Sequence, residues 1–198
     1  MIKPVPADEN EMIAAFLREE VDLSSHWSDC VKKGLAAIGA ARSLIDEPNL
    51  KDPAENCSRR DVLDSYRGYK GRQGQFAGFP AEVTWRLVDL EPEDFRTMQY
   101  MDHPNWNQLS SGNRLVSEGA RNLPRFASDQ RFQHIIAIAE AIRAGERFEP
   151  LIAAQHHEGH LVLIEGHSRA TAYALVSFTG RVKAFVGSSP SMYKWERY

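Results

Sequence analysis

Glu165-Gly166-His167-Ser168-Arg169 sets an acid, an imidazole, a hydroxyl and a guanidinium around a single glycine. Four apolar residues, Leu161 to Ile164, run straight into it, and Ala172, Tyr173, Leu175 and Val176 follow at helical spacing. A strand that turns through glycine directly into a helix leaves the first N–H groups of that helix without partners. Such a helix start is an anion site. Gly166 lets a ligand come close to the backbone, Ser168 and Thr171 add hydroxyls, and Arg169 offers a planar fork that matches phosphate oxygens. His167 serves as a donor or an acid. Glu165, an acceptor only when ionised, suits a metal ion, a substrate hydroxyl or Arg169 itself. The chemistry implied is a phosphate held by a helix start with a carboxylate beside it, although a capping Ser and a nearby Glu–Arg pair also serve stability alone.

Two other clusters carry functional groups. His156, His157 and His160 fall in a turn, with neither a His-x-x-x-His helix nor partnering cysteines, and read as a solvated loop with no metal site. The stretch from Arg59 to Pro80 carries Arg59, Arg60, Arg67, Lys70 and Arg72 against Asp61 and Asp64, interleaved with Tyr66, Tyr69, Phe76 and Phe79. Basic residues among aromatics suit single-stranded nucleic acid or a nucleotide base. The same aromatics also suit an arm that plugs the core.

The elements that must position these groups follow from periodicity. Met12, Ile13, Phe16, Leu17 and Val21, then Val31, Leu35, Ile38, Arg42 and Ile45, predict two amphipathic helices before Pro48 and Pro53. Glycines 68, 71, 74 and 78 make residues 59–80 loop-like. Val83, Trp85 and Leu87 alternate as a half-buried strand. Glu91 to Met101 reads as a helix ended by Pro104. Phe132 to Ile142 is a helix capped by Ser128 or Asp129 and closed at Gly145. Leu151 to Ala154 and Leu161 to Ile164 form a hairpin, the motif helix ends near Thr179-Gly180, and Val182 to Val186 is a further strand. The expected class is α+β, with a small mixed sheet. Three segments are expected: a helical extension over residues 1–58, a Gly/aromatic/basic arm over 59–80 and a core domain over 81–198.

Composition bounds the function. A chain of 198 residues, 42% hydrophobic and 26% charged, buries a core without staples. Cys30 and Cys57 lie outside any C-x-x-C spacing and no signal peptide opens the chain, so a reducing cytoplasm is expected. No apolar run approaches the roughly 20 residues of a membrane span. A formal net charge of −3 leaves out the strongly basic field of a dedicated nucleic-acid binder.

Glu149-Pro150-Leu151-Ile152, a hairpin, and then Leu161 through Ala172 resemble the ParB/sulfiredoxin superfamily: a proline-led strand, a hairpin, an acid-glycine pair, two variable residues, arginine, two more, and alanine. The resemblance covers the C-terminal part of the chain well and Val83 to Asp102 more loosely, whereas residues 1–80 have no counterpart in it. It implies a ParB/sulfiredoxin-like core whose glycine turn binds nucleotide phosphates. Sulfiredoxins need a cysteine directly after the turn glycine, where this chain has His167. Partitioning ParB proteins continue into a helix-turn-helix domain, for which the few residues after Gly180 leave no room. ADP-dependent free serine kinases carry Asp-Gly-His-x-Arg, and Glu165-Gly166-His167-Ser168-Arg169 is similar to that form. The kinase resemblance implies ADP or ATP, with Mg as a candidate companion, bound by Gly166, His167, Ser168, Arg169 and Thr171. It also implies catalytic roles for Glu165 and His167, and a base near Asp102, His103 or Glu118. The expected activity is phosphoryl transfer to a small hydroxyl-bearing substrate. A nucleotide-gated nucleic-acid-binding or nuclease-like module, using the basic residues at 59–72, and a non-catalytic regulator are the alternatives.

Overall fold

A computed structural model describes residues 2–22 and 26–198. The chain opens with β1 (Ile2–Ala7), followed by α1 (Glu9–Asp22), α2 (His26–Ala37), α3 (Ser43–Asp46) and α4 (Pro53–Arg67). Next come β2 (Thr84–Leu90), α5 (Asp94–Thr97), β3 (Gln99–Tyr100), α6 (Pro104–Leu109) and α7 (Val116–Asn122). Then follow α8 (Gln130–Arg143), β4 (Leu151–Gln155), β5 (Leu161–Glu165), α9 (His167–Val176) and β6 (Val182–Ser188). The strands make one six-stranded sheet in the order β1-β2-β6-β4-β5-β3. β1–β2, β2–β6 and β4–β5 pair antiparallel, while β4–β6 and β3–β5 pair parallel. The fold is the α+β arrangement with a mixed sheet that the sequence led us to expect.

The central strands are apolar throughout because helices cover both faces of the sheet. Ile152, Ala154, Val162, Ile164 and Phe185 face one core with Phe16 and Leu17 of α1, Val31 of α2 and Val62 and Leu63 of α4. The alternate residues Leu151, Ala153, Leu161, Leu163, Ala184 and Val186 face the other, with Phe95, Val116 and Ala170. A satellite cluster joins Phe132, Ile135 and Ala139 of α8 to Ala172 of α9. These helices start where chain chemistry dictates. The Asp52 side chain accepts from the N–H groups of Ala54 and Glu55, with Pro53 in the first turn of α4. Asp129 accepts from Arg131 at the start of α8.

Several segments differ from the sequence reading. β1 was not expected; it forms despite Pro4 and Pro6 because it is an edge strand, bonded to β2 among the described residues, where missing N–H groups are tolerated. The second helical stripe breaks after Ala37, with Gly39 at φ +67 and Ile38 exposed, so Ile45 sits on the separate short α3. The expected loop from Arg59 is instead the second half of α4, which buries Val62 and Leu63 and runs on to the first glycine, Gly68. The expected helix over Glu91 to Met101 stops at Thr97. Met98 turns extended at ψ 134, and Gln99 and Tyr100 pair with Val162 and Leu163. Backbone bonding along the open edge of β5 outweighs the apolar spacing that Phe95, Met98 and Met101 share with a helix. Pro104 likewise begins α6 rather than ending a helix.

Candidate functional site

Glu165 ends β5, Gly166 takes a left-handed conformation (φ 90, ψ 21) at the N-cap, and α9 begins at His167. A Cβ at Gly166 would run into the Leu151 side chain and come within 3.2 Å of the Arg169 guanidinium, so both conformation and space require glycine. The N–H of Ala170 donates to the Gly166 carbonyl at 2.8 Å and closes the first turn. Among the described residues, no side chain caps that turn. Ser168 stands at its outer side, with Oγ 2.7 Å from Nε2 of His134 on α8. Burial lowers the His134 pKa, which keeps that imidazole neutral at pH 7.

Arg169 is buried, and its fork points inward rather than towards a ligand. Nε meets Glu19 Oε1 at 3.1 Å, Nη2 meets Glu165 Oε2 at 3.3 Å, and Nη1 donates to the carbonyl of Glu149. A buried guanidinium must be surrounded by acceptors, and the end of α1 and the start of β4 supply them. The partner that sequence reasoning missed is Glu19. Its carboxyl is pushed up to about 7, chiefly by burial; Arg169 pulls it down, while Glu165, Glu149 and Glu20 push it up further. Beside it, Glu20 is raised by burial against the opposing pull of Arg67, with which it forms an ion pair. Tyr66 donates to Glu20 at 2.6 Å, and the Arg67 guanidinium lies 3.4 Å over the Trp27 ring. A signal for Glu20 was present in the sequence. It lies four residues after Phe16 and three after Leu17, which places it on the buried face of α1.

His167 is 8% exposed and stacks on Trp106, with ring centroids 5.1 Å apart and planes 10° apart. Trp106 in turn stacks on Tyr100 at 5.0 Å. Burial, with Arg67, His103 and Arg169 in support, pulls the His167 pKa down to about 3, so the ring is neutral under all ordinary conditions. Its Nε2 is buried without a hydrogen-bond partner among the described residues. Thr171, by contrast, is fully engaged: its Oγ1 bonds the His167 carbonyl at 2.8 Å and the Tyr100 hydroxyl at 2.7 Å. Gln75, in the glycine-rich stretch, donates to the Ile164 carbonyl at 2.5 Å and braces the end of β5.

The remaining expected residues lie apart from the turn. Asp102 accepts from Asn107 at 2.6 Å, Glu118 pairs with Arg121 at 2.5 Å, and neither bonds to residues 165–171 among the described contacts. His103, which caps α6, is near enough to His167 to influence its charge. The five basic residues do not form an open patch. Arg59 is buried and donates to the carbonyls of Leu44 and Asn49, Arg60 pairs with Glu9, Arg67 with Glu20 and Lys70 with Asp61, and Arg72 bonds the Tyr69 carbonyl. Tyr69, Phe76, Phe79 and Trp195 pack edge to face at 4.7 to 5.5 Å as part of the core.

The fold and the turn together define an α+β protein with an uncapped helix start beside a buried carboxyl–guanidinium network. Comparison with family models, with curated proteins and with solved structures finds no match in any of the three. Among the described residues, no helix is long and apolar enough to cross a membrane.

Proposed function

We propose that the chain is a nucleotide-dependent phosphotransferase of the ParB/sulfiredoxin kind, acting on a small hydroxyl-bearing substrate. One observation carries the reading: the Glu19 carboxyl, held near pKa 7, is anchored through Arg169 to the turn that opens α9. A carboxyl of that pKa is suited to accept a hydroxyl proton near neutral pH, the one proton-transfer role that phosphoryl transfer asks of a protein. Glu19 therefore takes the base role that the sequence reading gave to Asp102 or Glu118.

ADP or ATP is the proposed donor, with Mg2+ accompanying its phosphates. The amides of His167 and Ser168 and the Ser168 hydroxyl would hold phosphate oxygens at the helix start. The buried, unpartnered Nε2 of His167 supports a polar ligand at this turn, since buried polar atoms normally have partners. Arg169 acts through Glu19 and Glu165, as the clasp that positions the base. The internal pairing of Arg59, Arg60, Arg67, Lys70 and Arg72 favours this reading over a nucleic-acid-binding role, which would need those residues open to a phosphate backbone. Cys30 and Cys57 are not joined in a disulfide, and a reducing cytoplasm is the proposed compartment.

The test is nucleotide consumption over a panel of small alcohols. Turnover should rise with pH through a midpoint near 7, because Glu19 must be ionised to accept the proton. Glu19→Gln should lower it on the order of a hundredfold or more and leave nucleotide affinity within a few-fold. Nucleotide binding without consumption would reduce the protein to a regulator. Full turnover by Glu19→Gln would remove the proposed base.

A further inference from the structure

We propose that the β4–β5 hairpin turn is a binding site for one divalent transition-metal ion of the Zn2+ class, held by His156, Glu158 and His160. One ligand atom from each of these residues lies within 4.8 Å of the others. An ion bound at about 2.0–2.2 Å by nitrogen and oxygen would draw tetrahedral ligands to about 3.4 Å from one another. The most separated donors therefore have to close in by up to about 1.4 Å. Glu158, whose side chain is 69% exposed, has room to swing inward, and its Oε2 lies 3.8 Å from His156 Nδ1, which accepts the Glu158 N–H at 3.2 Å and would exchange that bond for the ion if it is the ligating nitrogen.

H-x-E-x-H is not a helical ligand spacing, which is why these residues read as a solvated loop. The turn makes the three residues neighbours. The His156 N–H donates to the His160 carbonyl at 2.8 Å and the Gly159 N–H to the His156 carbonyl at 2.9 Å, which folds the chain back on itself. Gln155 clasps the turn from inside, with Nε2 2.8 Å from the Gly159 carbonyl. The Tyr198 hydroxyl ties the turn down from the other side: it donates to the Gln155 carbonyl at 3.1 Å and accepts from the His157 N–H at 3.0 Å. Tyr198 stacks on His156 at 4.6 Å; the His156 and His160 rings stack with centroids 3.9 Å apart and have to turn out of that stack for their in-plane lone pairs to meet at one ion. A scaffold fixed by hydrogen bonds and packing is what gives a ligand set its geometry. Nε2 of His160 is buried and has no hydrogen-bond partner among the described residues, so it has no bond to give up on meeting an ion.

Two imidazoles and one carboxylate suit Zn2+, Co2+ or Ni2+ better than Mg2+ or Ca2+, which prefer oxygen alone. Three protein ligands leave a coordination position for water or a small ligand. His156 also lines a cavity of about 630 Å3 together with Thr84, Met192, Tyr193 and Tyr198. This site stands independently of the phosphotransferase reading.

Titrating tag-free protein with Zn2+ in competition with a chromogenic chelator, and with Co2+ while recording its visible spectrum, tests the site. One ion per chain should bind, and His160→Ala and Glu158→Gln should each weaken it by more than about tenfold, since even the outer partners of a metal site are worth that much. His157→Ala, on the same turn but outside the ligand set, should bind as the unaltered chain does. Thermal unfolding of each variant separates lost binding from lost fold, and the exposed Glu158→Gln keeps the test alive if His160→Ala is unstable. Absence of binding at millimolar Zn2+, undiminished affinity in a folded Glu158→Gln or His160→Ala variant, or equal loss in His157→Ala would each overturn the proposal.

Discussion

A buried carboxyl with a raised pKa makes folding depend on pH in a direction opposite to most acids, and Glu19 is the residue on which to measure it. Its ordinary value is 4.5 and its value in the folded chain about 7. Between these values the folded chain binds a proton that the unfolded chain has released, so stability falls as pH rises. Integrating between about pH 5 and about pH 8 gives a loss of roughly 2.5 kcal/mol from this one group. For a chain of this size that corresponds to a fall in Tm of about 5–10 °C. Glu19→Gln resembles the protonated residue at all pH values. It should match the unaltered chain near pH 5 and exceed it in stability near pH 8, leaving a flatter profile. Urea unfolding at several pH values, followed by circular dichroism, measures both slopes. Equal slopes in the two proteins, or an unaltered chain that gains stability over this range, would refute the burial and charge arrangement described for Glu19.

Three further outcomes follow from packing and pairing. Arg67→Ala leaves Glu20, 1% exposed, without its cation; it should cost about 3–5 kcal/mol near neutral pH and less in acid, where Glu20 protonates, as read from urea melts at two pH values. Asp129→Ala removes the cap that accepts the Arg131 N–H; it should lower stability by about 1 kcal/mol, with a matching small loss of helical signal. Gly119→Ala places a methyl group inside contact distance of the Tyr100 hydroxyl, which bonds Thr171. It should cost about 1–3 kcal/mol by overpacking, detectable by calorimetry.

What was legible in the sequence is what local chemistry decides. The hairpin, the glycine turn, α8 with its Asp129 cap and β6 each announce themselves by continuous apolar runs, capping residues or a glycine where the backbone must turn. β1 and β3 exist only because a sheet edge is there to bond them, and no window of a few residues contains that edge. The site divides in the same way. Glu165 to Ser168 could be read as a helix start, but the inward turn of Arg169 depends on Glu19, 150 positions earlier in the chain, and the burial of His167 depends on Trp106 of α6. The pairing of the basic residues was hidden for a related reason: Glu9 and Glu20, the partners of Arg60 and Arg67, lie on a helix distant in sequence.

The central claim is that phosphates bind at the start of α9. Adding ADP to 15N-labelled protein and following backbone amide resonances tests it at the atoms concerned. Saturable shifts are expected, largest at the amides of His167, Ser168 and Arg169 and small at the His156–His160 turn. ADP at millimolar concentration that leaves those three amides unmoved, or that shifts residues elsewhere instead, would contradict it.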